Sequence, residues 1–200
     1  MSKKKNIIIL VLVFVLLNGG ASVLYTQLSK IDTPDGLLVQ GDQNKNDNES
    51  QSDSSGTGDT ERQLTKAPDF TVYDGSGNKV NLSDYVGKPI VLNFWASWCG
   101  PCQNEMPDFH EKYLELGNEI HFLMVNMTGG RETLSSAKAF ISEKGYTFPV
   151  FYDTDSSAAT TYSVYSLPTT YFIDAEGYLI AQATGAISAD TLQKGIDMIK

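Results

Sequence analysis

Cys99 and Cys102 are the only thiols in the 200-residue chain, and only Gly100 and Pro101 separate them. Two sulfurs at that spacing can close into a disulfide, reopen, and pass the bond to a partner. The thiolate is the reactive form, and its pKa falls from about 8.5 towards neutrality at a helix N-terminus. There, unpaired N–H groups and the helix dipole present positive partial charge. Pro101 suits the first helical turn, which has no use for the missing N–H. Gly100 costs little at a bend. The pair therefore reads as a device for attack and release. Cys99, facing solvent at the helix tip, attacks a substrate disulfide; Cys102, inside the first turn, attacks the mixed disulfide and frees the product.

Two other uses of paired cysteines fit less well. A structural disulfide across two residues closes a very small loop and removes little chain entropy. A zinc site needs two further ligands, and the spacing to His110 and His121 is not that of a finger. His110 is expected on the exposed face of its helix and His121 at a strand start.

The elements that must hold the pair follow from the pattern around it. Pro89–Ala96, "PIVLNFWA", is a continuous apolar run, as expected of a central strand buried on both faces. A helix follows from about Pro101 to Leu116. Asp69–Tyr85 reads as a β-hairpin turning at Gly75-Ser76-Gly77-Asn78. Ile120–Met127 and Phe148–Asp153 read as strands, Arg131–Gly145 and Ser156–Val164 as helices. Thr169–Thr184 reads as two strands joined at Ala175-Glu176-Gly177, and "ADTLQKGIDMIK" as a closing helix. Alternating strands and helices followed by a hairpin and helix predict an α/β fold, a mixed sheet flanked by helices, over residues 64–200.

The N-terminal third is different. "MSKKKN" precedes an apolar run, Ile7–Leu17, extended by small residues to Tyr25. As a helix, residues 7–25 would span roughly 28 Å, close to a hydrocarbon core. The length favours an uncleaved signal-anchor over residues 1–28; Gly19-Gly20-Ala21 would suit a cleaved signal peptide. The lysines ahead of the run direct the rest of the chain out of the cytoplasm. No cysteine follows it, so a lipoprotein anchor is not expected. Residues 29–63 are mostly small and polar, and composition predicts a disordered linker. Residues 1–30 hold four lysines and no acid; residues 31–62 hold eight acids and two bases; the remainder holds sixteen acids and nine bases. A net charge of −9 argues against nucleic acid as a partner.

"NFWASWCGPC" resembles the active-site segment of the thioredoxin superfamily, and residues 67–200 resemble more closely the TlpA/ResA-like group of membrane-anchored thiol-disulfide oxidoreductases. The segments that carry this are "APDFTVYDGSGNKVNLSDYVGKPIVLNFW", "CQNEMPDF" and "YSVYSLPTTYFIDAEG". The resemblance implies a thioredoxin-like fold with an N-terminal β-hairpin. It implies Cys99 as nucleophile and Cys102 as resolving thiol. Pro168 matches the superfamily's cis-proline, and Leu167 before it would offer backbone groups to an extended substrate. Trp98, Gly100 and Pro101 would line the substrate site; Trp95 would pack beneath the motif. Pro107 matches a structural helix proline. In ordinary thioredoxin a buried aspartate stands six residues before the first cysteine; here Asn93 does, and it cannot accept a proton. The ResA-like group places a glutamate three residues after the second cysteine, which matches Glu105, a neighbour of Cys102 on one helix face. A carboxylate there would raise the thiol pKa values and relay a proton.

The resemblance further implies a reductase of client-protein disulfides at the outer side of a bacterial cell membrane. It implies electrons from an integral membrane thiol carrier of the CcdA/DsbD type, and no cofactor or metal. Clients in the group include apocytochrome c, sporulation-envelope proteins and methionine sulfoxide reductases. A second reading is a peroxiredoxin-like thiol peroxidase, since "APDF" and the following "LSDY" resemble the start of peroxiredoxins. Those carry a threonine three residues before the peroxidatic cysteine, where this chain has Ala96. A third is a non-catalytic interaction module, whose Cys99 would be inert to alkylation at neutral pH.

Overall fold

The computed structural model describes residues 36–39 and 64–200. The expected membrane helix and most of the expected linker lie outside them. The strands are β1 (Leu37–Val39), β2 (Thr65–Lys66), β3 (Thr71–Tyr73), β4 (Lys79–Asn81), β5 (Ile90–Trp95), β6 (His121–Asn126), β7 (Val150–Tyr152), β8 (Thr169–Ile173) and β9 (Tyr178–Thr184). The helices are α1 (Gly100–Leu116), α2 (Leu134–Lys144), α3 (Ser157–Thr161) and α4 (Ala189–Ile199), with a 3-10 turn at Leu82–Tyr85.

They form one mixed sheet in the order β1-β9-β8-β5-β6-β7-β3-β4, with β2 also on β9. The strands β5, β6 and β7 are parallel, while β8 runs antiparallel to β5 and β9 to β8. All six residues of β5 are buried, because the sheet is covered on both faces. On one face Val91 and Trp95 join Phe122, Met124 and Phe172 under α1, α2 and α4. On the other, Ile90, Leu92 and Phe94 join Leu123, Val125 and Tyr171 under the β3–β4 hairpin and α3.

The apolar positions of α1 fall at Cys102, Met106 and Phe109, one stripe at helical spacing, continued by the half-buried Tyr113 and Leu116. The N-cap of α2 is Thr133, in a capping box with Ser136, and α2 ends on Gly145 at φ 70°. The helix therefore starts three residues later than the apolar pattern suggests. Ahead of it, Gly129 and Gly130 take positive φ, and Gly129 and Glu132 exchange backbone hydrogen bonds in a tight turn.

One linker expectation is corrected. Leu37–Val39 form an edge strand, paired antiparallel with Ala181–Ala183, and Leu37 packs on the core. An apolar triplet beside an open sheet edge gains backbone partners that composition alone does not reveal.

Candidate active site

The chain leaves the buried end of β5 through Ala96, Ser97 and Trp98 and enters α1 at its N-cap, Cys99. Cys99 has extended backbone, and its sulfur accepts from the Cys102 N–H at 3.3 Å. The two cysteines are joined in a disulfide with Cα atoms 5.3 Å apart. Cys102 is fully buried. Cys99 is 5% exposed, so it does not stand clear of the surface as the motif suggests. It lines an open cleft of about 600 Å³ instead.

The cleft is also lined by Trp98, Gly100, Pro101, Arg131, Tyr165 and Leu167. Trp98 is 44% exposed and Tyr165 is 93% exposed, so two aromatic rings are left to water beside the disulfide. The Leu167–Pro168 bond is cis, and the Pro168 carbonyl accepts from the Gly185 N–H at 2.9 Å. Leu167 lines the cleft and packs on both core clusters. Trp98, Gly100, Pro101 and Leu167 therefore share one cleft with Cys99.

Glu105 is 2% exposed, one helical turn beyond Cys102. Its carboxylate accepts from the Asn93 side-chain amide and from the Ile187 backbone N–H, each at 2.9 Å. The same Asn93 nitrogen donates to the Thr170 hydroxyl at 3.0 Å. Burial pushes the Glu105 carboxyl up to about 7, against the opposing pull of the two hydrogen bonds. An acid poised near neutrality, on the helix face of Cys102, can take a proton and return it. Asn93 thus anchors the Glu105 carboxylate.

Sequence reasoning missed a second buried acid, Glu132. It accepts from the Ser97 backbone N–H, from the Ser97 hydroxyl at 2.9 Å and from the Ser136 hydroxyl at 2.6 Å. It ties the loop before Cys99 to the start of α2. The available signal was a glutamate just before a helix N-cap, which is too common to single out. Arg131, its neighbour, lies over the Trp98 ring at 4.7 Å. His110 is half-buried and not on an open helix face. It packs against Tyr146 and Phe148, and its Nε2 accepts from the Thr147 N–H at 3.2 Å. His121 opens β6 as expected. Trp95 is core, against Phe140.

A family model described as the AhpC/TSA family matches residues 64–182. The thiol-disulfide oxidoreductase ResA of Geobacillus kaustophilus (strain HTA426) is 38% identical over 135 residues, 67% of this chain and 76% of that one. Thioredoxin-like protein YneN of Bacillus subtilis (strain 168) is 34% identical over 133 residues, 66% of this chain and 78% of that one. Among solved structures, the exposed lipoprotein thioredoxin Etrx1 of Streptococcus pneumoniae strain TIGR4 superposes with a TM-score of 0.57 at 34% identity. That match covers 65% of this chain and 99% of that one. With a buried cysteine bonded to one that lines the cleft, a cis-proline beside it and a glutamate on the next turn, the chain belongs to the AhpC/TSA family and to its ResA-like thiol-disulfide oxidoreductases, within the thioredoxin superfamily.

Proposed function

We propose that this oxidoreductase reduces disulfides of client proteins outside the cytoplasm, held to a bacterial membrane by the apolar run near its N-terminus. A membrane thiol carrier of the CcdA/DsbD type returns it to the dithiol form. The observation that best supports reduction by exchange is Glu105, held between Asn93 and Ile187 beside Cys102 with a carboxyl near 7.

The reaction runs in two displacements. The Cys99 thiolate attacks one client sulfur; a mixed disulfide forms and the other client sulfur leaves as a thiolate that takes up a proton. Cys102 then loses its proton to the Glu105 carboxylate and attacks the Cys99 sulfur. The enzyme disulfide closes, and the second client sulfur leaves and is protonated in turn. Two electrons pass to the client. An extended client segment fits the open cleft, with the backbone of Leu167 as its partner strand.

Trapping tests the proposal. Cys102→Ser in the full chain should accumulate mixed disulfides through Cys99, which mass spectrometry would identify. An empty trap under non-reducing conditions removes the client-reductase reading. Loss of the membrane carrier should leave Cys99 and Cys102 oxidised in cells, and a membrane-impermeant alkylating reagent should reach Cys99 in the reduced protein. Rapid turnover of hydrogen peroxide by the purified protein alone would favour the peroxidase instead.

A further inference from the structure

The cleft beside Cys99 has a charge that its surroundings lack. From residue 64 on, the chain has sixteen acids and nine bases, a net −7, and Arg131 is the only arginine there. The cleft lining is otherwise uncharged: Trp98, Cys99, Gly100, Pro101, Met127, Gly129 and the segment from Val164 to Leu167. Arg131 is exposed, and its guanidinium lies against the exposed Trp98 ring, which holds it at the cleft without taking up its hydrogen-bonding edge. The other tie on this wall, Glu132, is committed to Ser97 and Ser136.

We propose that Arg131 selects clients with an acidic side chain within about two residues of the cysteine that Cys99 attacks. The proposal rests on the client-disulfide reading of the cleft and names which clients it prefers. A planar guanidinium beside an aromatic shelf offers two N–H groups to a carboxylate. The domain as a whole repels acidic segments, so its bulk field favours basic clients. A preference for acidic segments would therefore come from the local charge.

The test uses three cystine-containing peptides alike except for Asp, Ser or Lys beside the cysteine. The full chain, pre-reduced and freed of reductant, reacts with each in a single turnover. Rates are normalised to those of the same peptides with 2-mercaptoethanol, a thiol with no other charge, which removes the intrinsic effect of the neighbour on disulfide reactivity. A partly exposed ion pair predicts a preference for Asp over Lys of about two- to fivefold at low salt. That ratio should fall towards one in 0.5 M salt, at roughly a 4 Å Debye length. Arg131→Gln should abolish or reverse it, Arg131→Lys should keep part of it, and Lys194→Gln, which removes the same charge elsewhere, should leave it unchanged. Equal normalised rates in the native protein, or a preference surviving Arg131→Gln, overturn the inference and leave the reductase reading standing. Failure of all three peptides to react overturns both.

Discussion

Glu105 carries two opposed demands, and their balance can be measured. The Ile187 and Asn93 hydrogen bonds favour its charged form, yet burial outweighs them and holds the carboxyl near 7 instead of 4.5. Between about pH 4.5 and 7 the folded chain therefore keeps a proton that the unfolded chain has released. The stability that goes with the neutral acid is complete below pH 4.5 and is lost as pH rises to about 7, a swing on the order of 3 kcal/mol. Urea denaturation across that range should show the fall, and Glu105→Gln should flatten it. The glutamine also fits the site. Its oxygen can accept from Ile187, and its nitrogen can donate to Asn93 Oδ1, a buried oxygen without a partner. The Asn93 amide has to turn over, with the Thr170 hydroxyl then donating to its oxygen; its nitrogen is left buried where the oxygen had no partner, at a pH-independent cost of about 1–3 kcal/mol. The same variant should slow resolution of the mixed disulfide by about 10²-fold, since it cannot take a proton. An unchanged pH slope in Glu105→Gln would show that the raised carboxyl lies elsewhere. Asn93→Ala leaves a buried carboxylate oxygen unmatched and should cost about 1–3 kcal/mol at pH 8.

At the scale of elements, the cysteine pair depends on a loop fixed at both ends. Ser97 is held by Glu132 on one side, and its carbonyl accepts from Gln103 of α1 at 2.6 Å on the other. Glu132→Ala leaves the Ser97 N–H and hydroxyl without their acceptor, while the Ser136 hydroxyl keeps the Thr133 carbonyl, and should lower stability by about 1–3 kcal/mol. If the tie also orients Trp98, Ser97→Ala, a milder change, should raise KM for a disulfide peptide more than it lowers kcat. A purely structural tie would move only the melting temperature. A second element-scale prediction concerns α4, where Gly195 packs under β8. A Cβ there would lie 2.2 Å from the Phe172 ring. Gly195→Ala gains about 1 kcal/mol of helix propensity but overpacks a buried ring, at about 1–3 kcal/mol. The clash should win, and calorimetry should show a lower melting temperature.

These elements also show what the sequence makes legible. The strand β5 is readable because burial on both faces writes an unbroken apolar run, and α1 because its cap, its proline and its stripe agree. Cys99 and Cys102 are readable because their signal is contiguous in the chain, whereas Leu167–Pro168 is visible only through resemblance. The cradle of Glu105 is not, since Asn93 meets Thr170 across 77 residues and Glu105 meets Ile187 across 82. No local pattern encodes partners brought in by β5, β8 and the turn before α4. Glu105 itself is visible only through resemblance, and its anchors only in the fold.

At the scale of the whole domain, sheet topology gathers the site at one end. The loops leaving the parallel strands β5 and β6 supply Trp98 and Met127, and the loop entering the antiparallel β8 supplies Leu167. The end of β9 lies there too, since Thr184 pairs with Thr169 and the chain then reaches Ile187, the amide donor to Glu105. On the outer side of β9, β1 pairs with Ala181–Ala183 just before that turn, and Leu37 packs into the core cluster that holds Ile187. The edge strand therefore braces the route to the Glu105 anchor. Comparing a chain that begins at Asp35 with one that begins at Gln63 isolates this contribution. Three strand pairings and one half-buried leucine should be worth about 1–2 kcal/mol. Without them, amide hydrogen exchange over residues 181–187 should quicken, while exchange over residues 90–95 of β5 should follow only the change in global stability. If exchange over 181–187 is the same in both chains, β1 lies on the edge without holding it, and Ile187 is positioned by α4 and the Pro168–Gly185 hydrogen bond alone.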